Sequence, residues 1–489
     1  MGNGSRRQGP SVAIVGAGFG GIGLGIKLQQ AGIESFTIFE KAGAVGGVWR
    51  DNSYPGLTCD VPSHLYQFSF EPNHDWTRRF PQRDEILAYL ERLTDKHGLR
   101  EHMRLGTEVA AADFDAERGR WVLRLVGGEE AEFDVLVTAT GQLSRPSFPR
   151  IPGLDDFRGE LFHSARWNHD YDMAGKRVAA IGTGASAVQY VPEVAKVVER
   201  LHVFQRTPGW VIPKPDRPYR PREKALFRRI PLIPAISRRL TFIRFELFTL
   251  AMTRAYWMLR LYELGYKRRL RTEIPDPQLR EKLVPGYPMG CKRVLISNDY
   301  LPALARPNVE VVTDDIHEVT ATGVATADGR VREVDAIVLG TGFQANEFLA
   351  PMAIRGRDGA DLNDVWRDGA EAYLGLAISG FPNMFMLYGP NTNLGAGSII
   401  TMLESQIGFV VEAVRDLGSS GARWMDVRGD VQSAFNREVQ ERLGDSVWAA
   451  GCNSWYRTES GRVTNNWAGF VTEYKRRTRR PDPADFVLA

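Results

Sequence analysis

The sequence predicts an α/β protein with two Rossmann-like units, the second inserted into the first, and a helical insertion inside the second. Two glycine-rich turns, at residues 16–21 and 182–187, each follow a strand-like apolar run. Residues 134–141 and 335–342 both run from Asp through apolar residues to Thr-Gly, which is typical of a buried strand ending in a turn. A chain of 489 residues is long enough for more than one domain.

The first turn has the spacing of a dinucleotide site. A glycine turn between a strand and a helix lets the backbone approach a pyrophosphate at the helix N-terminus. A second strand, residues 36–39, ends at Glu40, which lies 19 residues after the last glycine of the turn. A carboxylate about 20 residues after such a turn bonds ribose hydroxyls. We interpret this unit as an FAD site, in preference to a solvated Glu40; the turn's glycines are Gly16, Gly18, Gly20 and Gly21.

The second turn predicts a site for another dinucleotide. Its strand covers residues 177–181, and the next strand, residues 201–205, ends in Arg206 and Thr207 where an acid would otherwise stand. An arginine there accommodates a 2′-phosphate, which favours NADPH over NADH; a surface arginine is the alternative. Two dinucleotides in one chain indicate hydride transfer between them. The cofactor-binding residues expected here are Gly182, Thr183, Gly184, Ser186 and Ala187.

These signals divide the chain into five segments. We expect an FAD-binding domain of residues 1–142 and 335–489, and an NADP-binding domain of residues 150–214 and 286–334. Residues 215–285 form a helical insertion that is aromatic and basic. The insertion is interpreted as a lid over a lipophilic substrate, a membrane-surface helix, or a packed helical subdomain with solvated arginines. The packed subdomain with a lid role is favoured, and membrane contact is not.

Composition excludes several other classes. Apolar residues make up 43% of the chain and charged residues 25%, as in a soluble globular protein, and a net charge of +3 is too small to indicate a nucleic-acid partner. Cys59, Cys291 and Cys452 have neither metal-ligand nor redox-pair spacing, so no metal site is expected and the disulfide reductases are excluded. With no signal peptide or spanning segment recognised, we expect a cytoplasmic monomer or dimer.

Two longer motifs carry a family resemblance. Residues 157–167 match FxGxxxHxxxW, and residues 46–60 match [AG]GxWxxxx[FY]P[GM]xxxD in full. With both glycine turns in family order, the chain resembles the type I Baeyer–Villiger monooxygenases from Val12 to beyond Trp455. It departs from the first motif at Asn168, where the family usually has Pro or Asp.

The resemblance implies an NADPH- and O2-dependent FAD monooxygenase. Such an enzyme inserts an oxygen atom next to the carbonyl of a ketone through a peroxyflavin and yields an ester or lactone. The family's catalytic cation corresponds to Arg293, and its carboxylate partner to Asp60. Arginine suits this role because it stays charged when partly desolvated and can stabilise a developing anion. From the residues alone, Arg293 is equally a surface charge before a strand.

The resemblance also implies roles for other residues. Lys292 joins Arg206 and Thr207 at the 2′-phosphate, and Trp455 either contacts the nicotinamide half or is a core aromatic. His163 is interpreted as a structural histidine at the interdomain connection, not as a general base. Met402 would close over the flavin ring. The remaining residues of the FAD contact set are Val48, Trp49, Tyr66, Val109 and Gln142.

Two other functions stay open. A flavin monooxygenase that oxidises nitrogen or sulfur shares both dinucleotide sites but lacks the ending at Trp167 and the motif ending at Asp60. A non-catalytic FAD- and NADPH-binding redox sensor would also share both sites. The aromatic insertion favours a lipophilic ketone as the small-molecule partner, together with molecular oxygen.

Overall fold

The computed structural model describes residues 9–449, 451, 454–458 and 461–489. Most of the N-terminal segment searched for a signal peptide, and Cys452, lie outside the described residues. The helices are α1 Phe19–Gln30, α2 Val48–Asp51, α3 Arg83–Lys96, α4 Ala187–Val194, α5 Pro221–Arg229, α6 Leu232–Thr253, α7 Leu259–Glu273, α8 Pro277–Lys282, α9 Tyr300–Leu304, α10 Leu362–Val365, α11 Ile399–Ser420, α12 Gly429–Gly444 and α13 Val471–Arg477.

The strands are short, and several are buried on both faces. They are β1 Val12–Val15, β2 Phe36–Glu40, β3 Met103–Leu105, β4 Val109–Asp115, β5 Arg120–Leu125, β6 Glu130–Phe133, β7 Val135–Thr138, β8 Glu160–His163, β9 Arg177–Ile181, β10 Arg200–Phe204, β11 Val211–Ile212, β12 Leu295–Ile296, β13 Val309–Val312, β14 Ile316–Thr320, β15 Gly323–Thr326, β16 Val331–Glu333, β17 Ala336–Leu339, β18 Ala353–Arg355, β19 Met384–Met386, β20 Met425–Val427 and β21 Phe486–Leu488.

The first unit is built on a parallel sheet with the strand order β19-β7-β1-β2-β3. β7 is buried at every residue, as expected for a strand with layers on both faces. β1 pairs with β2 on one side and with β7 on the other, so the later strands are added on opposite sides of β1. The carboxyl end of β1 is therefore the point where the strand order changes direction. That end is where doubly wound sheets bind their ligands, and it carries the first glycine turn.

The second unit repeats this plan with the order β13-β10-β9-β17-β8. All its pairings are parallel, and β9 lies between β10 and β17. The second glycine turn follows β9, at the point equivalent to the first turn after β1. α4 follows the turn as α1 does in the first unit.

The expected domain boundary at residue 335 is wrong. β17 was assigned to the first unit, but it pairs with β9 and β8 of the second. Asp335, just before β17, accepts a hydrogen bond from the Arg177 backbone N–H at 2.8 Å and so aligns the two strands. The Thr-Gly endings therefore mark equivalent strands of two units, β7 and β17, and the chain returns to the first unit only after β17.

The two connections between the units run side by side. The N–H of Ser147 donates to the carbonyl of Gly342 at 2.9 Å, and the N–H of Gln344 donates to that of Arg145 at 3.0 Å. Pro146 and Phe343 form an isolated antiparallel bridge between them. The outgoing and returning chains thus form one short paired connection.

Helices α5–α8 lie within the segment expected to be a helical insertion. α6 is attached to the first unit at two points. The Arg238 guanidinium donates to the Gln67 carbonyl at 2.8 Å, and the Glu246 carboxylate accepts the N–H of Val471 at 2.9 Å. Among the described residues, no helix combines the length and apolar character needed to cross a bilayer.

Candidate active site

The first glycine turn has a shape that other residues would not permit. Gly16 has φ +112°, and a Cβ there would lie 2.6 Å from the carbonyl oxygen of Ala139. A Cβ on Gly21 would lie 1.9 Å from the carbonyl oxygen of Gly16. Gly20 and Gly21 lie buried within α1, so they allow the helix to pack closely on the turn. The approach to a ligand is left to Gly16 and Gly18.

A second glycine segment meets this turn. Gly47 has φ +53°, and a Cβ on it would lie 3.2 Å from the Cα of Gly18. Side chains at these positions would fill the space where the two backbones meet. Val48 begins α2 directly after Gly47.

Glu40 is held at the same edge of the sheet. Its Oε2 accepts the N–H of Ala17 at 2.9 Å, and its Oε1 lies 3.3 Å from the Arg50 guanidinium. Its backbone carbonyl accepts the N–H of Thr107 at 2.9 Å, two residues before Val109 at the start of β4. The structure therefore brings Glu40 to the turn, as a ribose-binding carboxylate requires.

Aromatic and amide side chains continue the site from these turns. The indole N–H of Trp49 donates to the Tyr66 hydroxyl at 3.1 Å. The Gln142 amide donates to the Tyr388 carbonyl at 3.0 Å, while its Oε1 is buried with no protein partner among the described residues. A flavin ring carries an N–H donor that suits such an acceptor, so these residues fit FAD. Met402 is fully buried on α11, within the core cluster.

The second turn is tight at its first glycine and open at its second. Gly182 has φ +106°, and a Cβ on it would lie 2.4 Å from the carbonyl oxygen of Gly340. A Cβ on Gly184 would meet nothing within 4 Å, so its backbone is accessible. The Thr183 hydroxyl donates to the Thr207 carbonyl at 3.3 Å and ties the turn to the end of β10. Ser186 immediately precedes α4, whereas Ala187 is buried at its first turn.

Two cations meet near this turn. Burial lowers the pKa of Lys292 below its ordinary value, and the positive charge of Arg206 lowers it further. Neither side chain forms an ion pair within the described part of the chain. Like charges held together without a carboxylate are suited to a dianion such as a phosphate.

Asp60 and Arg293 form an ion pair, although 233 residues separate them. Both the Nε and Nη2 of Arg293 donate to Oδ2 of Asp60, the Nε at 3.1 Å. Burial alone would raise the pKa of Asp60, but the charge and hydrogen bonds of Arg293, together with the charge of Lys214, bring the pKa below its ordinary value. The pKa of Arg293 lies above its ordinary value, chiefly because of Asp60. Both groups are therefore charged at neutral pH.

The segment before Asp60 is held against the second unit by Gln189 of α4. The Gln189 Oε1 accepts from the Tyr54 hydroxyl at 3.2 Å and from the Thr58 N–H at 3.3 Å. Its Nε2 donates to the Thr58 carbonyl at 2.9 Å. Arg293 stands just before β12, which pairs with β11. Both partners of the pair are thus held by neighbouring parts of the second unit.

Two tyrosines near the pair were not anticipated as site residues. Tyr388 and Tyr456 are close enough to raise the pKa of Arg293 further. Burial raises the pKa of Tyr456 to about 12, so its hydroxyl stays protonated. Tyr388 has φ +64°, a strained backbone for a bulky residue and a feature common at functional sites. Sequence adjacency to Trp455 was the available signal for Tyr456.

A cavity of about 600 Å³ opens beside the ion pair. Asp60 and Arg293 line it together with a largely apolar set of side chains. Much of its wall comes from the insertion, including Leu240, Phe248 and Tyr262. A charged pair in an apolar cavity can bind a polar group of an otherwise lipophilic molecule.

Comparison with known proteins gives the family. Residues 9–242 match the family model described as flavin-binding monooxygenase-like. A Baeyer–Villiger monooxygenase of Streptomyces coelicolor is 47% identical, over 98% of this chain and 92% of its own. One of Pseudomonas aeruginosa is 45% identical, over 98% of this chain and 91% of its own. The chain belongs to the Baeyer–Villiger monooxygenase family.

Solved structures agree with the fold of this Baeyer–Villiger monooxygenase. An oxidised steroid monooxygenase bound to NADP superposes with a TM-score of 0.87 at 31% identity. A cyclohexanone monooxygenase from Rhodococcus sp. Phi1 bound to NADP+ has a TM-score of 0.88 at 29% identity. Each match covers 98% of this chain and 99% of the other. The predicted α/β fold class is confirmed.

In this Baeyer–Villiger monooxygenase, His163 lies at the paired connection between the units. The centroid of its ring lies 5.5 Å from that of Phe148 in the outgoing segment and 6.0 Å from that of Phe343 in the returning segment. Its Nδ1 accepts the N–H of Ala165 at 3.0 Å, and burial lowers its pKa to about 4. His163 is therefore neutral at neutral pH.

Asn168 and Trp455 also have identifiable surroundings. Oδ1 of Asn168 accepts the N–H of Asp170 at 3.0 Å, a turn that aspartate would also form. Its amide donates to Glu160 at 2.7 Å, which aspartate cannot do. Trp455 is partly buried and packs on Tyr456 with ring centroids 4.5 Å apart.

Proposed function

We propose that the chain is an NADPH- and O2-dependent FAD monooxygenase that converts ketones into esters or lactones. Ketone, O2, NADPH and one proton give the ester, NADP+ and water, so one oxygen atom enters beside the carbonyl and the other leaves as water. The Asp60–Arg293 pair at the apolar cavity carries this proposal, supported by the two glycine turns of adjoining units.

We assign FAD to the first unit. Gly16, Gly18 and Gly47 leave room for its pyrophosphate, and Glu40 is available to the ribose. The Gln142 Oε1, which has no partner in the part of the chain that the structure describes, is available to the ring. When bound, FAD accepts a hydride from NADPH and activates dioxygen for transfer to the carbonyl. Trp49 and Tyr66 would border it. The buried Met402 would act from within the core by packing.

We assign NADPH to the second unit. The open backbone at Gly184 is available to its pyrophosphate, and the pair of cations formed by Arg206 and Lys292 to its 2′-phosphate. NADH lacks that phosphate, so it would leave the two positive charges unneutralised. A preference for NADPH follows from this difference.

Arg293 supplies a fixed positive charge at the cavity. Its guanidinium is oriented by Asp60, which limits the cost of placing the cation among apolar groups. Such a charge stabilises negative charge that develops on oxygen during attack on a carbonyl. The apolar walls exclude water and so strengthen the attraction between Arg293 and that negative charge.

The substrate class follows from the cavity. A volume of about 600 Å³ is within the range of small-molecule sites, and its walls suit a lipophilic molecule. The names of the similar structures refer to steroid and cyclohexanone, both cyclic. We propose a bulky cyclic ketone.

A product assay tests the proposal. The purified FAD-loaded chain is incubated with NADPH, air and a panel of cyclic, linear and aryl ketones and of thioethers, and the products are identified by mass spectrometry. Ketone-dependent NADPH consumption with ester or lactone formation is expected. Oxidation of thioethers without any lactone would indicate a nitrogen- or sulfur-oxidising enzyme. NADPH consumption that does not depend on ketone, with no oxygenated product, would contradict the proposed ketone oxidation.

A further inference from the structure

The outward face of α6 presents apolar side chains to solvent. Its residues recur every three or four positions and so lie on one side of the helix. Each is between 44% and 65% exposed, which is unusual for a row of large aliphatic residues. They are Leu232, Ile236, Leu240, Ile243 and Leu247.

The same character continues onto α7 and the turn before it. Tyr256 and Trp257 in the turn are 59% and 64% exposed, and Leu261 and Leu264 on α7 are 67% and 64% exposed. The ring of Phe248 on α6 contacts Tyr262 on α7 at 5.6 Å, so the helices are packed together. These four residues and the five of α6 make nine, which is too many for scattered exposure. We call the exposed α6 residues together with Tyr256, Trp257, Leu261 and Leu264 the apolar face.

Unpaired positive charge accompanies the apolar face. Residues 221–282 contain fifteen Lys and Arg against six Asp and Glu, a net charge of +9, whereas the whole chain carries +3. Several of these basic side chains are exposed and form no ion pair within the described residues. They are Arg239, Arg244, Arg254, Arg260, Lys267, Arg268 and Arg271.

α6 is packed against the rest of the protein on the side opposite the apolar face. The opposite side of α6 has its own buried contacts, including Thr249 and Met252. Arg238 and Glu246 fix the helix to the first unit through hydrogen bonds to the backbone. The orientation of the apolar face is therefore set by the fold.

We propose that the apolar face and its arginines bind the surface of a membrane that contains anionic lipids. Aliphatic residues with tryptophan and tyrosine on one side, and cations around them, are the composition of helices that lie in a bilayer interface. Each Lys or Arg near an anionic leaflet adds to the attraction. This interaction needs no segment that crosses the bilayer.

The charge disfavours the other occupants of such a surface. In a symmetric dimer through this face, the unpaired cations of one copy would lie against those of the other. Nucleic acid would neutralise the cations but would leave the aliphatic side chains in water. An anionic bilayer satisfies both features.

Membrane binding would also explain where the cavity opens. Leu240, Ile243, Leu247 and Tyr262 line the cavity as well as being exposed. If the proposed function holds, a lipophilic ketone dissolved in the bilayer would lie next to the cavity. The binding itself does not depend on the reaction.

Vesicle flotation tests the proposal. The FAD-loaded full chain is mixed with vesicles of equal parts phosphatidylcholine and phosphatidylglycerol, or of phosphatidylcholine alone. We expect flotation with the anionic vesicles and much weaker flotation with the neutral ones. The variant W257S/L261S/L264S, outside the cavity, should bind roughly a hundred-fold more weakly. R260Q/R268Q should bind about 25-fold more weakly, since about 1 kcal/mol per cation corresponds to about five-fold each.

Matched control variants distinguish binding through the apolar face from non-specific adsorption to vesicles. V126S/V331S removes exposed apolar residues elsewhere, and R306Q/R437Q removes exposed arginines outside the insertion. Both should float as the wild type does. Flavin absorbance and NADPH oxidation without vesicles report that each variant is folded.

Three outcomes would overturn the proposal. They are a wild-type chain that stays unbound with anionic vesicles, a W257S/L261S/L264S variant that floats like the wild type, and wild-type dimers that this variant abolishes without any vesicle binding. A chain that binds vesicles but makes no ester would instead contradict the proposed function alone.

Discussion

Replacing Arg293 separates the oxygen-transfer role of the cavity from coenzyme binding. In R293A the carboxylate of Asp60 loses the two donors and the positive charge that face it. Unit charges about 4 Å apart attract by about 4 kcal/mol at an effective dielectric constant of 20. The side chains are 31% and 32% exposed, so about 2 kcal/mol is the appropriate value for the pair. Loss of a preorganised donor to a developing anion costs a further ~3 kcal/mol, or about a hundred- to a thousand-fold in rate.

We therefore expect ester formation by R293A to fall about a hundred- to a thousand-fold. Reduction of the flavin by NADPH should change less than about ten-fold, because Gly184, Arg206 and Lys292 remain in place. R293K keeps the charge without the planar two-donor geometry and should lie between R293A and the wild type. Stopped-flow absorbance measures flavin reduction, and gas chromatography measures the ester. R306A, an exposed arginine elsewhere, is the control.

Two results would refute this reasoning. If R293A formed ester within ten-fold of the wild-type rate at equal flavin content, the ion pair would not be the site of oxygen transfer. Impaired flavin reduction in R293A would also contradict the separation of roles.

Three further predictions concern the coenzyme, the ion pair and the connection between the units. R206A/K292A should raise the KM for NADPH about ten- to a hundred-fold and leave the KM for NADH unchanged, because only NADPH carries the phosphate that these cations would bind. Steady-state kinetics with both coenzymes tests this, and an equal rise in the two KM values would disprove it. Q189L removes the hydrogen bonds that hold Tyr54 and Thr58, so the yield of ester per NADPH should fall about ten-fold at unchanged FAD content, and an unchanged yield would show that Asp60 is positioned in another way. His163 has a pKa of about 4 in the folded chain, below its value of about 6.5 when unfolded. The unfolded chain therefore binds more protons between these values, and folding stability should fall by about 3 kcal/mol as pH falls from 7 to 4. The free energy of unfolding of H163Q, measured with denaturant, should lack this pH-dependent contribution. Burial raises the pKa of Asp426 to about 6, so Asp426 adds stability as the pH falls, but this effect is common to both proteins and cancels in their difference.

The two-unit architecture could be predicted because its signals are local. Each glycine turn and the strand before it lie within ten residues of one another, and the positive φ angles of Gly16 and Gly182 explain why glycine stands there. Strand pairing is not local. The Asp335 strand resembled the one ending at Gly141, and its neighbours in the sheet could not be read from that similarity.

The candidate site was predictable where the family motifs reach it. Asp60 and Arg293 were paired through resemblance, because nothing in the sequence brings together residues so far apart. Gln189 was missed because a polar residue on a helix has many ordinary explanations. The proximity of Arg206 to Lys292 likewise depends on packing between distant segments.

The insertion shows a further limit of the sequence. α6 has apolar residues on both its buried and exposed sides, so its periodicity did not indicate which side faces the protein. The anchoring hydrogen bonds of Arg238 and Glu246 decide the orientation. The sequence had favoured a packed subdomain over membrane contact, and the exposed apolar face is the reason to propose that contact now.

Isotopic labelling of the product tests the central claim most directly. The FAD-loaded chain is supplied with NADPH, a cyclic ketone and heavy-isotope dioxygen in unlabelled water, and the product is analysed by mass spectrometry. The account predicts one labelled oxygen atom in the ring of each lactone formed, with one NADPH consumed per lactone. Consumption of NADPH with all the label in hydrogen peroxide or water, and the ketone recovered unchanged, would contradict it.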